Sequence, residues 1–269
     1  MQYLRKGQFY GQTHETLPLE GLVLTDTEYT LPKVDWHYHE HPYFTFLLQG
    51  HLIEGNKKEV YHCAAGSLLF HNWQEPHYNI KPDGFSRGFH IELETSWMNE
   101  VSIDLSRLQG SLRIEDPSAK LLMYTIVKES KYRGPERALA IQSLLVQLLE
   151  QLQAKQEGTL YKNPAWVKTI RELLHDRCAE PLTLAGISRE LGIHPAHLSR
   201  DFPRYFHCNP GVYLRRLKVS RSLGLLSDGK QSLSSIAYAC GFADQSHFYR
   251  CFKEQMGIGP YQYRRLLFR

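Results

Sequence analysis

Residues 236–253 read IAYACGFADQSHFYRCFK. An apolar-periodic segment, LSSIAYAC, runs up to Gly241, the residue type that most readily takes the left-handed turn after a helix. In the segment that follows, Phe248 and Phe252 lie four apart and share a face, while Ser246, His247 and Arg250 lie towards the other side. Helix, glycine turn and helix is the helix-turn-helix plan, whose second helix can enter a DNA major groove.

Working upstream, the same pattern occurs a second time. Leu184, Ile187 and Gly192 recur as Leu233, Ile236 and Gly241, a shift of 49; Leu198, Arg200, Phe202, Pro210 and Tyr213 recur as Phe248, Arg250, Phe252, Pro260 and Tyr263, a shift of 50. Eight positions in register, Gly, Pro and Arg among them, make an internal repeat. Leu198 and Phe202 are then the core pair of the first copy, leaving Ala196, Ser199 and Arg200 outward. In the second copy Gln245, Ser246, His247 and Arg250 face out. Arg pairs bidentately with guanine and also holds phosphates, and Gln and Ser suit base edges or backbone. A solvated helix face would give the same pattern at any one of these positions. An arginine repeated at one place in a basic domain favours contact with DNA.

The string IA…GF.DQS.F.R.FK…G..P..YR, from Ile236 to Arg264, resembles the DNA-binding domain of AraC/XylS-family transcriptional regulators, and the likeness extends over about 90 residues. It implies two helix-turn-helix subdomains joined by a long helix near VYLRRLKVSRSLGLL, with recognition helices in successive major grooves of double-stranded promoter DNA. Family positions that touch bases or phosphates map onto Ala196, Ser199, Arg200, Gln245, Ser246, His247 and Arg250. Two departures weaken the first reading head: Ala196 is small, and Pro203 replaces a usual basic residue. RNA polymerase is an expected partner if the protein activates.

Charge follows the same division. Residues 1–163 carry 16 Lys+Arg against 20 Asp+Glu, or −4, and residues 164–269 carry 16 against 8, or +8. A concentrated basic region favours a polyanion. The five cysteines are scattered without CxxC spacing, which fits free thiols in a reducing cytoplasm. No apolar run approaches the ~20 residues of a membrane span, and the first residues lack the pattern of a signal peptide.

The other half of the chain is strand-rich. Segments at 21–26, 43–55, 59–63, 67–71, 77–81 and 85–93 are short, aromatic and β-branched, and are separated by turn residues. The expected class is α+β with two domains. The strands of residues 1–97 suggest an antiparallel barrel or sandwich, and the family resemblance implies that they form a cupin-like sensor β-barrel. Residues 98–156 are helices packing on it or mediating a homodimer, 157–163 a linker, and 164–269 an all-α domain with twin helix-turn-helix subdomains. In the second of the helices preceding the linker, Ile141, Leu144 or Leu145, Leu148 and Leu152 make one apolar stripe, either core or partner surface.

Eight of the fourteen histidines lie between His37 and His90, and VDWHYHEHPYFTFLLQG at 34–50 places three at alternate positions. On a strand, alternate residues share a face. His37, His39 and His77 are the candidate metal ligands, for a divalent transition metal such as Zn, Ni, Cu or Fe. His41, His71 and Tyr43 are the candidate wall of a pocket for a small-molecule effector. A metal-binding cupin has a Glu where this chain has Tyr43 or Phe44, so the histidines equally suit an organic ligand. The competing reading is a metal-dependent cupin enzyme, an isomerase or dioxygenase, with an accessory helical domain. The nearby Glu40, Glu75 and Glu92 are expected at the surface. A third reading gives the N-terminal half dimerisation alone.

Overall fold

The computed structural model describes residues 1–105, 108–158 and 164–267. The chain divides into two compact units, 1–157 and 158–269. Of the linker expected at 157–163, residues 159–163 lie outside the described residues.

The first unit holds two sheets. One has the order β1 (Gln2–Leu4), β4 (Lys33–His39), β9 (His77–Ile80), β6 (His51–Asn56), β7 (Val60–Ala64). The other runs β11 (Ser111–Ile114), β8 (Leu68–His71), β5 (Tyr43–Gln49), β10 (Arg87–Leu93), β3 (Leu22–Glu28), β2 (Gln12–Leu19). All pairings are antiparallel except β1 with β4, which is parallel.

The closed antiparallel barrel is therefore corrected to two open sheets. Closure requires every strand to be paired on both sides with consistent tilt and stagger. Here β1, β7, β11 and β2 each end a sheet, β1 and β11 are only three and four residues long, and β2 carries Pro18 and a register shift near Thr13. Two sheets packed on their apolar faces bury the same alternation without closing.

Alternation along β5 shows the layering. Tyr43, Thr45 and Leu47 turn towards the five-stranded sheet, where Leu47 joins Leu52, Cys63 and Leu69 in one cluster. Phe44 and Phe46 turn the other way: Phe44 meets Phe70, and Phe46 meets Tyr124 of α2 (Pro117–Ser130) edge to face. Covered on both faces, the strand reads as a continuous apolar run. The short α1 (Thr95–Glu100) buries Trp97 and Met98. In α3 (Arg137–Gly158), Ile141, Leu145, Leu148 and Leu152 are buried within the chain and Leu144 is half-buried, so the stripe is core.

The second unit is helical: α4 (Ala165–Asp176), α5 (Leu184–Leu191), α6 (Pro195–Phe206), α7 (Pro210–Ser227), α8 (Leu233–Ala239), α9 (Gln245–Met256) and α10 (Pro260–Leu267). Val167, Ile170, Leu174, Ile187, Leu198, Phe202, Tyr213 and Leu217 form one core. Phe242, Phe248, Phe252 and Tyr263 form a chain of ring contacts in the other, at 5.1, 5.6 and 5.9 Å between successive centroids. The long α7 serves both, giving Tyr213 and Leu217 to the first core and packing against α8, α9 and α10 further along.

Candidate nucleic-acid interface and sensor pocket

Each recognition helix is fixed by its caps. In the first copy Thr183 caps α5 by accepting from the Gly186 N–H, Gly192 takes φ 64°, and His194 caps α6 ahead of Pro195. In the second, Ser232 caps α8, Gly241 takes φ 73°, and the Asp244 carboxylate accepts from the His247 N–H at 2.7 Å to start α9. Side-chain caps of this kind satisfy backbone donors that a helix start leaves free.

Burial then splits the two helices. Leu198, Phe202, Phe248 and Phe252 are fully buried, while Ala196, Ser199, Arg200, Gln245, Ser246 and Arg250 are exposed and His247 is half-buried against Phe242. Pro203 lies inside α6 without ending it, and the helix continues to Phe206. The two heads differ electrostatically. Arg200 donates from Nε and an η nitrogen to the two carboxylate oxygens of Asp201, at 3.0 and 3.2 Å. Gln245 is held through its Oε1 by the Ser234 hydroxyl.

In the first unit, β4 and β9 pair with His37 directly opposite His77, after a register shift between Val34 and His37. Such an irregularity re-aims side chains. His37 and His39 are buried and turn inward, with Tyr38 half-buried between them. One nitrogen from each of His37, His39 and His77 lies within 4.8 Å of the others, and all three residues are buried.

Hydrogen bonds set two of the tautomers. His37 donates from Nδ1 to the Asp35 carbonyl at 2.9 Å, and His77 from Nδ1 to the Glu75 carbonyl at 3.1 Å, so each keeps its lone pair on Nε2. His77 Nε2 accepts from the Tyr43 hydroxyl at 2.9 Å. His39 Nδ1 is buried without a partner, 3.9 Å from Glu92 Oε1, which is also unpartnered. Burial, aided by the neighbouring imidazoles, keeps His39 well below the ordinary histidine range and His77 at about 3. Burial lowers His37 as well. Neutral imidazoles with free lone pairs and orphaned polar atoms suit a metal ion.

Of the candidate pocket residues, Tyr43 lines the cavity and His71 stacks beneath it at 4.5 Å. His41 falls in the turn after β4, where the alternation has ended, and does not line the cavity. His71 Nε2 and Glu54 Oε1 are 3.1 Å apart but misaligned, so neither completes a hydrogen bond there. Burial raises Glu54 to about 8 and Glu92 to about 7.

The surface expectation for Glu92 is thus corrected: it is fully buried near the C-terminal end of β10, where its second oxygen accepts the Gly7 N–H. Glu40 and Glu75 are half-buried.

The cavity holds roughly 460 Å³ of space including its open mouth, and Phe9, Tyr10, Tyr29, Glu54 and His90 also line it. Sequence reading passed over them. Phe9 and Tyr10 belong to no recognisable pattern, whereas Glu54, two residues beyond Leu52 on β6, is a carboxylate at an inward position and was detectable by alternation.

A helix-turn-helix domain model matches residues 187–266. GbdR, an HTH-type transcriptional regulator of Pseudomonas aeruginosa, is 31% identical over 98 residues, 36% of this chain and 27% of that protein. The chain thus matches about a quarter of that relative's length. RhaS, an HTH-type transcriptional activator of Pectobacterium atrosepticum, is 21% identical over 254 residues, 86% of this chain and 88% of that protein. Among solved structures, an apo point variant of ToxT from Vibrio cholerae aligns over 91% of this chain and 97% of its own, with 16% identity and a TM-score of 0.40. These comparisons lend no support to the enzyme reading. With the repeat, the paired caps and the helix-turn-helix match in agreement, residues 187–266 form a helix-turn-helix domain similar to that of HTH-type transcriptional regulators.

Proposed function

We propose that this protein is a sequence-specific regulator that binds promoter DNA through α6 and α9 and senses a small molecule or a metal ion in its sheet-rich unit. The observation that carries the reading is the repeat itself: two capped helices that bury Leu198/Phe202 and Phe248/Phe252 and expose Ser199/Arg200 and Gln245/Ser246/Arg250. His37, His39 and His77 would hold the ion, with Tyr43 and His71 as pocket wall. No helix among the described residues is long and apolar enough to cross a membrane. We place the protein in the cytoplasm, acting as a homodimer whose two copies read paired half-sites, with RNA polymerase as partner where it activates. The buried stripe of α3 leaves the dimer contact to another surface.

The test is binding of the full chain to DNA upstream of its own gene, by fluorescence anisotropy across a salt series. The expected outcome is a saturable complex, outcompeted only by the same sequence, whose log Kd rises linearly with log salt. Folded protein that treats specific and scrambled DNA alike would overturn the reading.

A further inference from the structure

Resting on the reading of His37, His39 and His77 as a metal site, we propose that Tyr43 is its fourth protein ligand and that the ion held is ferric iron. Tyr43 reaches the three histidines from the other sheet, as the first residue of β5. Its hydroxyl lies 2.9 Å from His77 Nε2, the nitrogen that carries the lone pair because Nδ1 is spent on the Glu75 carbonyl. Two donors bound to one ion at about 2.0–2.1 Å and at right angles are themselves about 2.9 Å apart. The observed spacing is that of an O–H···N hydrogen bond, and it equally suits neighbouring ligands on a single centre. An ion on His77 Nε2 must either displace the phenol oxygen or bind it.

Displacement is opposed by packing. The Tyr43 ring lies 4.4 Å from His39 between centroids, stacks on His71 at 4.5 Å and meets Phe9 at 5.5 Å, and the side chain is almost wholly buried. Coordination requires the histidine nitrogens, which lie within 4.8 Å of one another, to draw together by side-chain rotation.

The donor set then selects the ion. A phenol binds as an anionic oxygen, so the ion must be hard enough to prefer that oxygen beside three imidazoles. Among Zn²⁺, Ni²⁺, Cu²⁺ and Fe³⁺, ferric iron is the hardest and meets this demand best. On binding, the O–H bond breaks and an O–Fe bond forms. One proton leaves through the pocket mouth to solvent, and no electron moves, because the ion enters as Fe³⁺.

The experiment uses the full chain stripped with chelator and then loaded with ferric nitrilotriacetate, zinc or nickel, reading metal per chain and the visible spectrum. One iron per chain with a phenolate-to-iron charge-transfer band is expected, with phenolate modes in resonance Raman of the wild type. Tyr43→Phe should lose the band and weaken iron retention at least tenfold, and Tyr132→Phe, at an exposed position outside the pocket, should keep both. One iron per chain without the band, or a band that survives Tyr43→Phe, would overturn the assignment while leaving the histidine site intact. Retention of zinc or nickel but not iron would overturn the choice of ion. Failure to retain any of the three metals, with the same result in His37→Ala, would remove the histidine site and this inference together.

Discussion

Arg200 and Arg250 occupy matching positions of the two recognition helices but not matching surroundings. Arg200 has its fork taken by the adjacent Asp201, whereas among the described residues no carboxylate holds Arg250. Exposed pairs of this kind contribute little, so DNA can break the first, but the acid remains beside the phosphates. Arg250→Ala is expected to weaken specific binding by about 1–3 kcal/mol and to relax selectivity at one base pair. Arg200→Ala should cost less, and Asp201→Asn should tighten binding on every sequence. Anisotropy titrations on matched and scrambled duplexes check all three; a larger loss at Arg200 would reverse the ranking of the heads. A second residue-scale case is His90. Burial holds it at about 3, against the upward pull of Asp26, while Thr25 and Tyr29 hydrogen-bond to its two nitrogens. In the unfolded chain it titrates near ~6.5, so below that pH the unfolded state binds a proton that the native state refuses. The stability is fully present above ~6.5 and is lost as pH falls towards 3, by up to ~1.4 kcal/mol per pH unit. In chelator-treated protein, the stability lost between pH 7 and pH 5 in urea unfolding should be ~2 kcal/mol smaller in His90→Gln than in the wild type. Equal losses would assign the acid sensitivity elsewhere.

Among elements, the two helix-turn-helix copies show how one sequence signal can hide two physical demands. Gly192 and Gly241 both take positive φ, but a Cβ at Gly192 would meet open space and one at Gly241 would run into the Ala179 carbonyl. Gly192→Ala should therefore cost only the left-handed conformation, ~1–2 kcal/mol. Gly241→Ala adds a backbone clash and should cost at least twice as much, with loss of DNA binding by the second head. Thermal melts of both variants decide this, and equal costs would mean that the Ala179 segment yields easily. The repeat was legible because Leu198, Phe202, Phe248 and Phe252 obey helical periodicity. The six segments read from aromatic and β-branched runs correspond to seven strands, β3 and β5–β10, with 43–55 supplying both β5 and β6, because those runs carry their own turn signals. The short β1, the polar β2 with its internal Pro18, and β11 had no such signal. Alternation also reports which face a residue takes and not which strand lies beside it, so two open sheets read as a barrel. The same limit applied to the pocket: His37 and His39 were found from their alternate spacing and His77 from the likeness to a cupin, but the approach of Tyr43, Phe9 and Glu92 depends on which strands and turns meet across the sandwich.

At the scale of the whole molecule, the charge division of −4 for residues 1–163 and +8 for residues 164–269 favours DNA attraction by the second region, and the proposed sensing falls to the first. A regulator must join these two activities energetically, and a joint of this kind is a coupling free energy between sites, typically ~1–3 kcal/mol. Because it is a property of the bound states, it acts in both directions. If loading the His37–His39–His77 site with ferric iron changes the Kd for operator DNA by about 5–150-fold, operator DNA must change the affinity for iron by the same factor. The prediction is therefore double. Anisotropy with apo and iron-loaded protein gives one factor; iron titration of free and DNA-bound protein, read by chelator competition, gives the other. Agreement within error, with both factors collapsing to one in His39→Ala, is the expected result. His39 is the proposed ligand that lies 3.9 Å from Glu92 on the opposite sheet, so its removal separates the ion from β10 without touching α6 or α9. Iron binding and DNA binding that are each intact but leave one another unchanged would mean that the pocket is not the sensor, and that the signal enters the protein elsewhere.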